Sequence, residues 1–260
     1  MNPMIGKEVR QRMRERRGWI LPSLYLATLG AVIALVYYTM TRQSKEGWEI
    51  GVGLFFTAAY AQLSLLLLMA PIFSAAALTI EKEQRTLAGL LTTLLQPLHV
   101  WWGKFVASLL YTLLLLVAGL PVLSVVFAFG GIGPWEMFMA TITTIVILAT
   151  ISAMSLYWSS LFRRSVHATA VSYVTVIVMT VVTFIIFVIG MSIHQGGGWE
   201  TLPYLLKAPL YFNPYFFLTM AFVPASQLYP EWTQCLAVFL LLGTVSAILT
   251  LRNLRRGELV

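Results

Sequence analysis

Six long apolar runs constrain this chain more than any other feature of its sequence. None of them contains Lys, Arg, Asp or Glu, and an α-helix needs about 20 apolar residues to cross the hydrocarbon of a bilayer. The runs cover residues 19–40, 54–80, 105–129, 137–161, 168–191 and 233–251. We therefore predict an all-α polytopic membrane protein, a single domain over residues 1–260 with six transmembrane helices.

Composition supports a membrane protein and excludes other classes. Charged residues make up 10% of the chain and hydrophobic residues 59%, whereas a soluble domain carries about a quarter charged residues. The net charge of +7 does not indicate nucleic-acid binding, because the basic residues lie in short segments between the apolar runs. A single cysteine, Cys235, excludes an internal disulfide.

The basic residues are divided unevenly between the two sides of a six-span protein. Three lie on one side: Arg42, Lys45 and Lys207. Fourteen lie on the side that holds both termini: Lys7, Arg10, Arg12, Arg14, Arg16, Arg17, Lys82, Arg85, Lys104, Arg163, Arg164, Arg252, Arg255 and Arg256. Because positive residues favour the cytoplasmic side, we predict that both termini are cytoplasmic and that segment 192–232 is external.

The first 18 residues have the pattern of an interfacial helix. Met4, Ile5, Val9 and Met13 recur near helical spacing, and basic residues occupy the other faces. Such a helix lies in the headgroup layer with its apolar stripe toward the lipid. The alternative is a basic flank that only sets topology.

Segment 81–104, between the second and third runs, combines charge with amphipathicity. It opens with charged residues and continues with leucines at i, i+3, i+4, i+7 and i+8, which predicts a helix that Pro97 ends or bends. The leucines are Leu87, Leu90, Leu91, Leu94 and Leu95. From these residues alone, the helix either lies on the membrane or is held by a partner protein.

This segment resembles the loop between the second and third spans of ABC-2 type permeases. The sequence departs from the family pattern at Arg85, Ala88 and Leu94. The matching residues are Glu81, Lys82, Glu83, Thr86, Leu87, Leu90, Leu91, Thr93, Gly103 and Lys104. The resemblance extends to the layout of the whole chain, with its basic N-terminal helix, its six spans and its long segment before the last span.

The resemblance implies a function and a set of partners. It implies the membrane-spanning subunit of an ATP-driven exporter in the cytoplasmic membrane of a prokaryote, paired with a second copy or a homologous permease. A separate ABC ATPase subunit would bind ATP and Mg²⁺, and the loop would hold the coupling helix that docks on it. By position, Glu81, Glu83 and Arg85 would make polar contacts and Thr86 would cap or orient the helix. Leu87, Leu90 and Leu91 would pack on the ATPase or, in the alternative, only anchor in lipid.

The external segment 192–232 is rich in aromatic residues and proline. Its prolines interrupt the apolar stretch 210–223 before that stretch could act as a full span. The Asn213-Pro214 step resembles the short external or re-entrant helices before the last span of the same family. This likeness predicts an external gate that includes Asn213, Pro214, Tyr215 and Phe216. The alternative is an aromatic belt without a gating role.

The sequence lacks the signatures of two other mechanisms. It contains no Gly-x-x-x-x-Gly-Lys-Ser/Thr phosphate loop, so we expect ATP to be bound by another polypeptide. No carboxylate lies inside a run, whereas an ion-coupled secondary transporter usually holds one at membrane depth. We therefore expect no catalytic residue, metal ligand or cofactor on this chain. An ion-coupled transporter and a non-transporting anchor or assembly subunit remain the alternatives.

Overall fold

A computed structural model describes residues 17–42, 47–84, 97–127, 133–193, 207–222 and 225–256 of the chain. These residues form helices and short connections, and no strand occurs among them. Residues 1–16, which hold most of the predicted interfacial helix, lie outside the described part.

Eight α-helices lie within the described residues. They are α1 (Arg17–Arg42), α2 (Gly47–Glu83), α3 (Pro97–Phe127), α4 (Pro134–Leu161), α5 (Ser165–Ile177), α6 (Thr183–Ile193), α7 (Pro214–Met220) and α8 (Ala225–Arg256). A π-helical turn, Val178–Val182, joins α5 to α6, and a 3-10 helix, Ala208–Phe212, precedes α7. Counting α5 and α6 as one, six helices are long and apolar enough to cross a membrane. The predicted all-α, six-span fold class is therefore confirmed.

Two helices extend beyond the apolar runs toward each other. α2 continues through the charged residues to Glu83, and α3 begins at Pro97, before Lys104. Proline suits the first turn of a helix, where its missing N–H would have no helical partner. The connection between α2 and α3 is therefore residues 84–96, of which the structure describes Gln84.

α2 and α4 form the centre of the bundle. α2 packs against α1, α3, α4 and α5, while α4 also packs against α3, α5 and α8. Small residues let α2 and α4 approach closely. The buried small residues of the two helices include Ala70, Ser74, Ala75 and Ala77 on α2, and Ser152, Ala153, Ser155 and Ser159 on α4.

Most hydroxyl groups in the spans bond to their own helix, and a few also join two helices. The Thr150 hydroxyl, for example, lies 3.0 Å from the Val146 carbonyl oxygen and 3.1 Å from that of Phe239, which lies on α8. The Trp232 indole N–H donates to the Thr143 hydroxyl over 3.0 Å. These bonds hold α8 against α4, and such bonds stabilise helix pairs by about 0.6–2 kcal/mol each.

Candidate functional site

The last three residues of α2 each contact a different neighbouring helix. The first is Glu81, whose carboxylate lies 2.7 Å from the ammonium group of Lys104 on α3. The Lys104 side chain is 4% exposed and the Glu81 side chain 18%. A charge removed this far from water is tolerated only with a partner, so this ion pair holds the beginning of α3 against the end of α2.

Lys82 binds the C-terminal end of α4. Its ammonium group donates to the carbonyl oxygens of Ser159, Ser160 and Phe162 at 3.1, 2.6 and 3.0 Å. The last carbonyl groups of a helix lack intrahelical partners and carry partial negative charge, so a cation there stabilises the helix end. Lys82 therefore acts as a cap for α4, supplied by α2.

Glu83 binds the N-terminal end of α5. One carboxylate oxygen accepts hydrogen bonds from the backbone N–H of Ser165, at 2.7 Å, and from its hydroxyl, at 2.9 Å. Arg164, the residue before α5, provides no side-chain cap among the described contacts. The carboxylate of Glu83 thus takes the role that an N-cap residue usually has.

We call Glu81, Lys82 and Glu83 the three-helix joint. Three further hydrogen bonds stabilise the same end of the bundle. The Ser159 hydroxyl oxygen accepts from the backbone N–H groups of Leu78 and Thr79 at 3.1 Å each, and the Asn253 amide donates to the Ser160 hydroxyl at 3.0 Å. The joint therefore connects α2 to α3, α4 and α5, and α8 is attached through α4.

The predicted coupling residues divide into two groups. Glu81 and Glu83 lie at the end of α2, where they bind the neighbouring helices. Arg85, Thr86, Leu87, Leu90 and Leu91 lie outside the described residues. Lys82 also matches the family pattern, but its three carbonyl contacts cannot be predicted from the sequence, because Ser159 lies 77 residues further along the chain.

A second candidate region is residues 207–222, which enter the bundle instead of lying on its surface. The Tyr215 hydroxyl lies 2.7 Å from the Ser64 hydroxyl, and the Thr219 hydroxyl lies 2.7 Å from that of Tyr60. Ser64 lies near the midpoint of α2, and Phe217 is completely buried. We therefore call residues 207–222 the re-entrant segment.

Asn213 holds the re-entrant segment in place. Its side-chain oxygen accepts from the backbone N–H groups of Tyr215 and Phe216, at 2.9 and 3.4 Å, and so caps α7. Its amide nitrogen donates to the Thr180 carbonyl oxygen and to the Thr183 hydroxyl, both at 2.9 Å. One buried carboxamide thus joins α7 to the π-helical turn.

The other predicted gate residues surround this contact. Pro214 is the first residue of α7 and is buried, while Tyr215 and Phe216 are half-buried. The rings of Phe216 and Tyr211 meet edge to face with their centres 6.1 Å apart. The four predicted gate residues are therefore placed together at the start of α7, while a gating role remains a prediction.

Metal-binding geometry is absent from the described part of the chain. No three His, Cys, Asp or Glu side chains within it are placed to hold a metal ion. A small cavity lies beside Gln62 and is lined by residues of α2, α3, α4 and α7. The Gln62 amide nitrogen donates to the Leu116 carbonyl oxygen over 3.2 Å.

Comparison with known families gives a clear result. The sequence model of the ABC-2 family transporter proteins matches residues 3–259. The chain belongs to the ABC-2 transporter family. As an ABC-2 protein it is a multi-pass transport subunit of a membrane, not itself a catalyst, and subunits of this family generally work with an ABC ATPase. No curated protein matches the chain in sequence.

Proposed function

We propose that the chain is the permease subunit of an ATP-driven exporter. Two copies, or one copy and a homologous permease, form the substrate path. A separate ABC ATPase binds ATP and Mg²⁺ and moves them, while both termini lie in the cytoplasm of a prokaryotic cell. The three-helix joint is the observation that carries this proposal beyond family membership.

The three-helix joint is placed to transmit a force that a partner protein applies to the connection between α2 and α3. Glu81 lies just before the connection 84–96 and Lys104 just after the first turns of α3, so their ion pair ties the two bases of the connection together. A protein that pushed on the connection would therefore displace α2 and α3 as a unit. Because Lys82 and Glu83 bind the ends of α4 and α5, the displacement would reach those helices too.

α2 is long enough to transmit that movement. Its 37 residues give a length of about 55 Å. The joint lies at one end, and Tyr60 and Ser64, near the middle, contact the re-entrant segment. In this proposal the re-entrant segment, with Asn213, Pro214, Tyr215 and Phe216, closes the path on the external side.

The ATPase would dock on the connection itself. Arg85 and Thr86 would make polar contacts there, and Leu87, Leu90 and Leu91 would pack on the ATPase surface. An amphipathic leucine face can also lie in lipid without a protein partner. Substitution on this face distinguishes the two roles. If the leucines pack on the ATPase, a substitution causes loss of ATPase binding, whereas if they only lie in lipid, it affects membrane insertion.

Affinity purification of the tagged chain from native membranes tests the partner directly. We expect an ATPase that carries a phosphate-binding loop to be recovered in a stoichiometric amount, both without a cross-linker and with one attached at Thr92→Cys. Recovery of the chain without an ATPase under both conditions would contradict the proposal and favour an anchor or an ion-coupled transporter.

Coupling is tested with two substitutions and a matched control. Leu90→Asp should abolish recovery of the ATPase, and Glu83→Ala should retain the ATPase but reduce the ATP turnover that the permease stimulates. Glu136→Ala removes a carboxylate from the first turn of α4, at the opposite end of that helix, and should change neither. Wild-type turnover in a chain carrying both Glu83→Ala and Leu90→Asp would exclude the coupling role.

A further inference from the structure

The fifth span is divided by a π-helical turn. The backbone N–H of Thr183 donates to the carbonyl of Val178, five residues earlier, instead of four as in an α-helix. A π turn carries one extra residue, disturbs the regular pairing of backbone groups and is frequent at functional positions. The Thr180 carbonyl oxygen in this turn accepts the amide of Asn213.

The two parts of the span differ in their packing. Before the turn, α5 packs on α2 and α4, and the Tyr173 hydroxyl donates to the Leu68 carbonyl over 2.5 Å. After the turn, the main contacts of α6 among the described elements are with the turn itself and with the 3-10 helix of the re-entrant segment. At the π turn the span therefore exchanges its contacts with α2 and α4 for contacts with the re-entrant segment.

The side chain of Asn213 suits this position in a way that its closest substitutes do not. Its oxygen caps α7 and its nitrogen holds the turn, and the residue is 3% exposed. Aspartate would keep the acceptor but lack the donor, and alanine would lack both. Substitution can therefore separate the cap on α7 from the hydrogen bonds to Thr180 and Thr183, because aspartate removes only the latter and alanine removes both.

We infer that Asn213 is a positioning residue that locks the re-entrant segment to the π turn, so that α5, α6 and α7 move as one body. α5 is held at its first residue by Glu83 of the joint, and Thr180 lies fifteen residues further, a distance of about 22 Å along the helix. The span thereby links the joint to the predicted gate. The lock itself follows from the contacts, whereas its use in gating rests on the proposed function.

Distance measurement by pulsed EPR tests the lock without any partner protein. Spin labels are placed at Val166→Cys on α5 and Ile189→Cys on α6, which are 74% and 53% exposed, in a chain that carries Cys235→Ser. The labels are 23 residues apart, or about 35 Å. The labelled chain is reconstituted in lipid nanodiscs with an excess of unlabelled chain, so that each distance comes from one copy.

The lock predicts one narrow distance distribution for the parent chain. Asn213→Asp, which keeps the cap, and Asn213→Ala, which loses it, should both broaden the distribution about twofold, because unlocking adds arrangements of α6 relative to α5. Asn253→Asp is the matched control, since Asn253 also donates to a hydroxyl group but at the end of the bundle near the joint, and it should change nothing.

A third variant guards against misfolding of the Asn213 variants. Thr183→Val removes the hydroxyl that accepts from Asn213 and keeps the shape of the side chain, and it should broaden the distribution less than Asn213→Asp does. An unchanged distribution in Asn213→Asp and Thr183→Val would overturn the inference and leave Asn213 as a helix cap. Failure to recover an ATPase would contradict the proposed function but not the lock.

Discussion

The carboxylate of Glu81 and the ammonium group of Lys104 form an ion pair of 2.7 Å that closes the base of the connection between α2 and α3. The two residues are the first and last of the segment that the sequence predicted as a coupling loop. Their pairing fixes the end of α2 relative to the beginning of α3, on the two sides of the connection.

Separating this pair should destabilise the protein strongly. Lys104→Met or Glu81→Gln alone removes this 2.7 Å ion pair from a mostly buried position, a change that costs about 3–5 kcal/mol. The double variant removes both charges and should recover most of that loss. Thermal unfolding in nanodiscs would show this recovery, and additive losses would contradict a direct interaction between the two residues.

Glu83 should act locally, because it lies at the surface. Glu83→Ala removes the acceptor for the Ser165 N–H and hydroxyl, so the backbone amides of residues 165–168 should exchange hydrogen severalfold faster. Glu83→Gln keeps an oxygen at the same place and should have a smaller effect. Ser165→Ala is the control, since it removes the hydroxyl but leaves the backbone bond. Equal exchange in all four chains would contradict the capping role.

Where α2 and α4 are in close contact, a smaller side chain should destabilise the protein less than a larger one. Ser159 is completely buried and accepts two backbone N–H groups of α2. Ser159→Ala loses these bonds but keeps the helices together, whereas Ser159→Leu must push them apart at a cost of about 1–3 kcal/mol or more. The unfolding temperature should be highest for the wild type, lower for Ser159→Ala and lowest for Ser159→Leu. A leucine variant as stable as the alanine variant would show that the two helices separate easily.

The hydroxyl pairs between α2 and the re-entrant segment should contribute modestly. Tyr215→Phe and Ser64→Ala each remove one partner of a 2.7 Å hydrogen bond. We expect a coupling energy of about 0.6 kcal/mol from a double-mutant cycle on unfolding, as is typical of hydrogen bonds between membrane helices. Tyr60→Phe combined with Ser64→Ala serves as the control cycle, because the Tyr60 hydroxyl pairs with Thr219 instead.

The orientation in the membrane is tested with reporters at defined positions. A cytoplasm-active reporter fused after Val260 should be active, and one inserted after Lys45 should be inactive, because the basic residues favour the side of the termini. A reporter that is active only outside the cytoplasm should give the reverse result. External activity after Val260 would exclude a six-span topology with cytoplasmic termini.

The six spans were predictable because an uninterrupted apolar run is sufficient for a membrane helix. The beginning of α3 was not, since Lys104 ends the apolar run on a hydropathy scale but is buried by its ion pair with Glu81. Glu81 and Glu83 are identifiable from the sequence because they match the family pattern. Their actual partners, Lys104 and Ser165, depend on how distant segments pack, which local periodicity does not contain.

The re-entrant segment illustrates the same limit. The Asn213-Pro214 step and the position of the segment before the last span are both recognisable from the sequence. The π turn lies in a run of apolar and hydroxyl residues that predicts a regular α-helix. This run therefore does not indicate that Thr180 or Thr183 would bind Asn213. The contact became visible only with the fold.

The spacing along α2 has a consequence for how the protein can change in evolution. Ser64 and the joint are seventeen residues apart on one helix, and each additional residue turns everything beyond it by about 100°. An insertion between them would direct Glu81, Lys82 and Glu83 away from three helices at once, whereas a substitution at one of these three residues affects its contact with one helix. The number of residues between Ser64 and Glu81 is therefore constrained by all three contacts together.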